Sequence, residues 1–277
     1  FMDFLEGYRY DPNEVTVSQN EAGELSVTLQ EILKFLVSLT NDIEVEGEPV
    51  PGWFIPRTNL FLEHERQENP IGYFNCGLSH GIPGPLALLS VAYKEGVIVE
   101  GQKEAIEKIG SWLMSKVVIS SQGKYFPTAI SWEEQIQDTV YETPSRDAWC
   151  YGTPGVARAL YLAGEALDDS RFFYVANETF DSIFRNRTME EWDIYSPTFC
   201  HGFSGLLQIA MLMNKEQHLN KLVDTVLSFY SNENVFGFQD LDHKAGFLDG
   251  AAAVLLTLLY YNNKKSYTDW EALFLLN

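Results

Sequence analysis

At 277 residues the chain is one large domain or two ordinary ones, and it can bury a core without disulfides. Its 19 basic and 39 acidic residues give a net charge of −20, which repels phosphate backbones and excludes a general nucleic-acid binder. Aromatic residues at 14% and charged residues at 21% exclude a disordered chain, and the longest near-apolar stretch, 250–261, is too short to span a bilayer.

In chain order, Leu29, Ile32, Leu33 and Leu36 form the first helical stripe. The stretch 41–73 reads as irregular or briefly extended. Gly81-Ile82-Pro83-Gly84 then runs into an apolar helix, and Ile106, Ile109, Leu113 and Val117 mark an amphipathic one, interrupted by Gly110. After an irregular stretch over 125–144, Gly152-Thr153-Pro154-Gly155 opens a second apolar helix. Gly202-Phe203-Ser204-Gly205 opens a third. Leu219, Leu222, Val223, Val226, Leu227 and Tyr230 make another stripe, and a degenerate copy of the motif starts at Gly250. The first glycines are 71, 50 and 48 residues apart, a period that fits one helix pair per repeat. Helices apolar on nearly every side alternate with amphipathic ones. An inner ring wrapped by an outer ring satisfies both patterns, so the expected fold is an all-α, α/α toroid.

Each first glycine holds the residue before it at the mouth of an inner helix. The three intact mouths are Ser79-His80-Gly81, Trp149-Cys150-Tyr151-Gly152 and Phe199-Cys200-His201-Gly202. Two thiolates and an imidazole suit a catalytic zinc with one open position. The bland alternative is three buried residues without metal, since free cysteines are often buried. Spacing alone does not choose between them, whereas placement at equivalent points of different repeats favours the site. Cys76 reads as a small core residue, His64, His218 and His243 as solvated side chains, and the copy at Gly250 as helix packing only.

At these motifs the chain resembles the LanC family of lanthipeptide cyclases, in the form of the stand-alone bacterial enzymes. The matching pieces are Ser79–Gly84, Arg146-Asp147-Ala148-Trp149-Cys150-Tyr151-Gly152-Thr153-Pro154-Gly155, Cys200–Gly205 and Gly246-Phe247-Leu248-Asp249-Gly250. The resemblance implies a single cyclase domain over 1–277, with fewer helix-pair repeats than the family usually carries and the missing ones N-terminal. It implies one zinc on Cys150, Cys200 and His201, His80 as acid/base, Arg146 at the reacting centre, and Trp149 and Tyr151 lining the site. Asp3 matches the family's implicated aspartate by position. The implied reaction adds cysteine thiols of a dehydrated precursor peptide to dehydroalanine or dehydrobutyrine, giving lanthionine and methyllanthionine rings. The implied partners are that peptide and the dehydratase and export transporter of a biosynthetic complex. The implied setting is the cytoplasm, with peripheral membrane association through that complex. Two other readings stand beside it: a non-catalytic peptide-binding scaffold, and a toroid glycosidase, which needs paired carboxylates where only Asp249 stands at a mouth.

Overall fold

Every Gly-x-x-Gly element in the computed structural model is followed at once by a helix. The structure describes residues 19–277 apart from 144, 239–244 and 267, with side chains from 27 onward. Asp3 and His243 lie outside the described residues. Four helices follow the glycine motifs: α3 (Pro83–Lys94), α6 (Thr153–Leu167), α8 (Phe203–Leu212) and α10 (Ala251–Asn263). Consecutive members of this inner set pack side by side, α3 on α6, α6 on α8 and α8 on α10. An outer set, α4 (Gln102–Ser115), α7 (Ser170–Asn186) and α9 (Glu216–Ser228), backs the first three. Helix α1 (Gln19–Ser38) lies against α3 and α4.

The burial pattern explains the two layers. Helix α6 is buried continuously from Thr153 to Leu160, whereas α7 and α9 each bury one stripe. On α9 that stripe is Leu219, Leu222, Val223 and Val226, narrower than the sequence suggests, because Leu227 and Tyr230 are exposed. The all-apolar α10 is also less buried than its composition predicts, with Leu255 and Leu259 exposed. Gly110 does not break α4. It lets Phe172 of α7 lie where a Cβ would collide with the ring.

The stretch 41–73 and the loop after α4 hold short strands paired into three small sheets. They are the hairpin β1 (Asp42–Val45) with β2 (Glu48–Pro51), the hairpin β5 (Val118–Ser120) with β6 (Gly123–Tyr125), and a three-stranded sheet. The last has β4 (Gly72–Asn75) between β3 (Ile55–Pro56) and β7 (Ala129–Ser131), both antiparallel to it. Tyr73 pairs with Ser131 and Phe74 with Ile130, which carries β4 straight into the first mouth loop. Two short helices, α2 (Glu63–Glu68) and α5 (Trp132–Gln137), complete these connections.

The mouth loops curl back on themselves. A Cβ on Gly81, Gly152 or Gly202 would strike the carbonyl of Asn75, Arg146 or Ser196, each six residues earlier. At Gly152 the backbone also has φ +97°, a region L side chains rarely adopt. Gly152→Ala is therefore expected to lower unfolding stability by at least ~2 kcal/mol, through positive φ and the clash together. Chemical denaturation within about 0.5 kcal/mol of wild type would show that the turn is not constrained as described.

Candidate metal centre

The mouths are joined by a row of backbone hydrogen bonds. Ser79 N–H donates to the Cys150 carbonyl at 3.3 Å, Cys150 N–H to the Cys200 carbonyl at 3.1 Å, and Cys200 N–H to the Leu248 carbonyl at 2.9 Å. Each of these residues stands two places before the first glycine of its own motif. The row therefore aligns the next residues too: His80, Tyr151, His201 and Asp249.

This alignment brings Cys150, Cys200 and His201 together, with their ligand atoms within 4.8 Å of one another. Among the described residues it is the one group of three or more such side chains that could hold a metal ion. Cys200 and His201 are adjacent and reach one point because they lie in the turn before α8, outside its helical geometry. Cys150 is 6% exposed, and the His201 side chain is 43% exposed. The centre is therefore closed on the thiol side and open on the imidazole side. The two thiols are coupled by a hydrogen bond. It makes the first ionisation, at Cys150, easier, with a smaller contribution from the charge of Arg146. The same bond holds the Cys200 thiol protonated, helped by burial and by the charges of Cys150 and Asp249. Two soft sulfur donors beside an imidazole fit a thiophilic dication such as zinc.

Tyr151 is half-buried, and its hydroxyl accepts from Asn75 Nδ2 at 3.1 Å. Asn75 is itself buried, and its Oδ1 accepts the Gly77 N–H at 2.8 Å. Asn75 thus ties the His80 loop to Tyr151, a role with no signal in the motifs. His80 is exposed, 6.0 Å from Tyr151 ring to ring. It stands between an apolar cavity of about 560 Å³, lined by Phe35, Trp53, Phe54 and Leu88, and one of about 380 Å³ lined by Leu60, Tyr73 and Tyr151.

Trp149 points into the core rather than along the open face. Its ring packs on Phe199 and Phe274, and its indole N–H donates to the Phe274 carbonyl at 3.1 Å. Arg146 pairs with Asp193 at 3.4 Å, both partly exposed, and not with its neighbour Asp147. Asp147 is fully buried and paired with Arg187 at 2.7 Å. Burial pushes its carboxyl up to about 7 against the opposing pull of that guanidinium.

The described histidines outside the mouths differ from one another. His64 is exposed on α2, as expected. His218 is not simply solvated: it stacks on Phe184 at 3.8 Å, and burial lowers its pKa. The mouth at Gly250 is more than helix packing. Its Leu248 carbonyl accepts the N–H groups of Phe199 and Cys200, and Asp249 Oδ1 lies 3.6 Å from His201 Nε2. That arrangement leaves Asp249 as the single mouth carboxylate, facing a histidine and not a second acid.

The model of the lanthionine synthetase C-like protein family matches residues 15–275. The chain belongs to that family. It is 27% identical over 249 residues to the nisin biosynthesis protein NisC of Lactococcus lactis subsp. lactis, covering 88% of this chain and 57% of that protein. It therefore spans little more than half the length of this curated relative. The solved structure of nisin cyclase matches with a TM-score of 0.74 at 25% identity, over 99% of this chain and 70% of that one. The two helix layers are those of a LanC α/α toroid.

Cys76 provides an internal control for the two site cysteines. It is buried in the core, where burial pushes its thiol up to about 12. In metal-free folded protein at mildly alkaline pH, a thiol reagent is expected to modify the Cys150/Cys200 pair, where the first ionisation is eased, well before Cys76, which reacts only after denaturation. Equal rates for the pair and for Cys76 in the native state would contradict the packing described.

Proposed function

We propose that the protein is a zinc-dependent lanthipeptide cyclase. Its substrate is a dehydrated, cysteine-containing precursor peptide, and it works in the cytoplasm alongside the dehydratase and export transporter of a biosynthetic complex. The observation that carries this reading is the meeting of Cys150, Cys200 and His201 from two different repeats within 4.8 Å. Family membership and the match to nisin cyclase support the reaction class. No helix of the described residues is long and apolar enough to cross a membrane.

Cys150, Cys200 and His201 would hold the zinc, with one position left open. When bound, the metal supplies a substrate cysteine as thiolate at neutral pH, where a free thiol is mostly protonated. The remaining tasks fall to the chain. Sulfur adds to the β-carbon of the dehydro residue, a C–S bond forms, and the α-carbon must gain a proton. We assign that proton to His80, which is exposed and whose neighbour Ser79 is hydrogen-bonded to the Cys150 carbonyl. We assign to Arg146, whose charge is felt at Cys150, the negative charge that develops on the amide oxygen during addition. Its pair with Asp193 is partly exposed and weak enough to exchange for that charge. Tyr151, held by Asn75 and 6.0 Å from His80 ring to ring, would line the site beside Cys150. The apolar cavity beside His80 suits the side chains of a peptide presented to the centre.

Purified protein is expected to carry one zinc, and Cys150→Ala and Cys200→Ala to lose it. His80→Ala is expected to keep zinc and fold while cyclisation, followed by loss of free thiol in a dehydrated peptide, slows by on the order of 10²–10⁴-fold. Stoichiometric zinc in both cysteine variants, or an unchanged rate in His80→Ala, would contradict the assignments.

A further inference from the structure

We propose that Asp249 is a positioning residue for the metal centre: its carboxylate, 3.6 Å from His201 Nε2, closes onto that Nε2–H and leaves Nδ1 of the ring to face the metal. The inference rests on the metal reading above and adds a residue that takes no part in it. Three observations converge on Asp249.

The first is contact. Asp249 Oδ1 lies 3.6 Å from His201 Nε2, both side chains being about half exposed, at 53% and 43%. The ligand group closes on Cys150, Cys200 and His201 without Asp249, so the carboxylate reaches the imidazole rather than the centre itself. The second is anchorage. The carbonyl of Leu248, the residue before Asp249, accepts the N–H groups of both Phe199 and Cys200, at 3.2 and 2.9 Å. The backbone bearing the carboxylate is thereby clamped to the loop bearing Cys200 and His201, and the two side chains are held in register. The third is the repeat itself. Asp249 stands directly before Gly250, as His201 stands before Gly202, so the backbone row that assembles the ligands sets Asp249 beside the last of them.

The chemistry explains why an acid belongs there. A histidine that binds a metal through one nitrogen presents the other as an N–H donor, and a carboxylate on that N–H fixes the ring orientation and raises its basicity as a ligand. An imidazole as open as that of His201 rotates freely unless something holds it. Two thiolates restrain the metal on the buried side, and Asp249 supplies the restraint on the exposed side.

The test uses the full chain with substitutions Asp249→Ala and Asp249→Glu. Zinc affinity is measured by competition with a chromophoric chelator, with far-UV circular dichroism as the check on fold. Asp249→Ala is expected to bind zinc 10–100-fold more weakly at unchanged helicity, the usual cost of removing such a partner. Asp249→Glu is expected to recover most of the loss. If the acid only favours the start of α10, Asp249→Ala lowers the unfolding midpoint and leaves the affinity of the folded protein at the wild-type value, which overturns the proposal. A second readout needs no metal. In metal-free protein labelled with 15N-histidine, the His201 Nε2–H signal is expected to be protected from solvent exchange in wild type and unprotected in Asp249→Ala. Equal exchange in the two overturns the contact. Failure of wild type to bind zinc would count against the metal reading, while the exchange measurement would still decide the contact.

Discussion

The structure depends on the row of backbone hydrogen bonds that runs from Ser79 through Cys150 and Cys200 to Leu248. Packing of the inner helices brings the mouths to one end, but packing alone tolerates sliding. A hydrogen bond between mouth loops does not, because a buried N–H or C=O left without a partner costs about 1–3 kcal/mol. The register of the repeats is therefore written in the backbone, and the side chains follow. One place before each first glycine the row presents His80, Tyr151, His201 and Asp249, and two places before it the pair Cys150 and Cys200. The glycines make this possible by letting each loop fold over its own carbonyls, at a point where any Cβ would intrude.

A second set of contacts holds these loops from behind. The Asp147 N–H donates to the Trp192 carbonyl, and the Asp147 side chain is paired with Arg187 in full burial. The segment before Cys150 is thus tied to the end of the outer helix α7. Losing one member of such a pair costs far more than the pair itself contributes, since it strands a buried charge. On the inner side, Arg158 of α6 is buried and donates to the carbonyls of Leu276 and Leu212. Trp149 donates to the Phe274 carbonyl. The turn at 270–274 closes the aromatic layer beneath the candidate metal centre, with Phe274 stacked on Phe247 at 4.4 Å. Polar anchors set the positions, and aromatic packing fills the space between them.

Much of this was legible in the residues. The two helix layers follow from apolar runs against amphipathic stripes, and the ligand set follows from cysteines and a histidine at repeated glycine motifs. The limits were physical. Strands of two to four residues, such as those in β3 and β7, carry too little alternation to be read, and their pairing partners lie far along the chain. Asn75 has no motif, because its role comes from Tyr151, 76 residues away. His218 looked solvated because its stacking partner, Phe184, belongs to another helix. The degenerate motif at Gly250 gives Asp249 no partner in the sequence, because its place beside His201 depends on the neighbouring repeat. Trp149, next to Cys150, reads in the sequence as lining the site, whereas its ring is buried against Phe199 and Phe274, which come from other segments.

The central claim is that two repeats supply two sulfurs and one ring nitrogen to a single zinc. X-ray absorption at the zinc edge of the loaded wild-type protein tests it most directly. The account predicts two sulfur scatterers at about 2.3 Å and an imidazole nitrogen at about 2.0–2.1 Å, with one further light atom in the open position. A shell made only of nitrogen and oxygen, or one with a single sulfur, would contradict it.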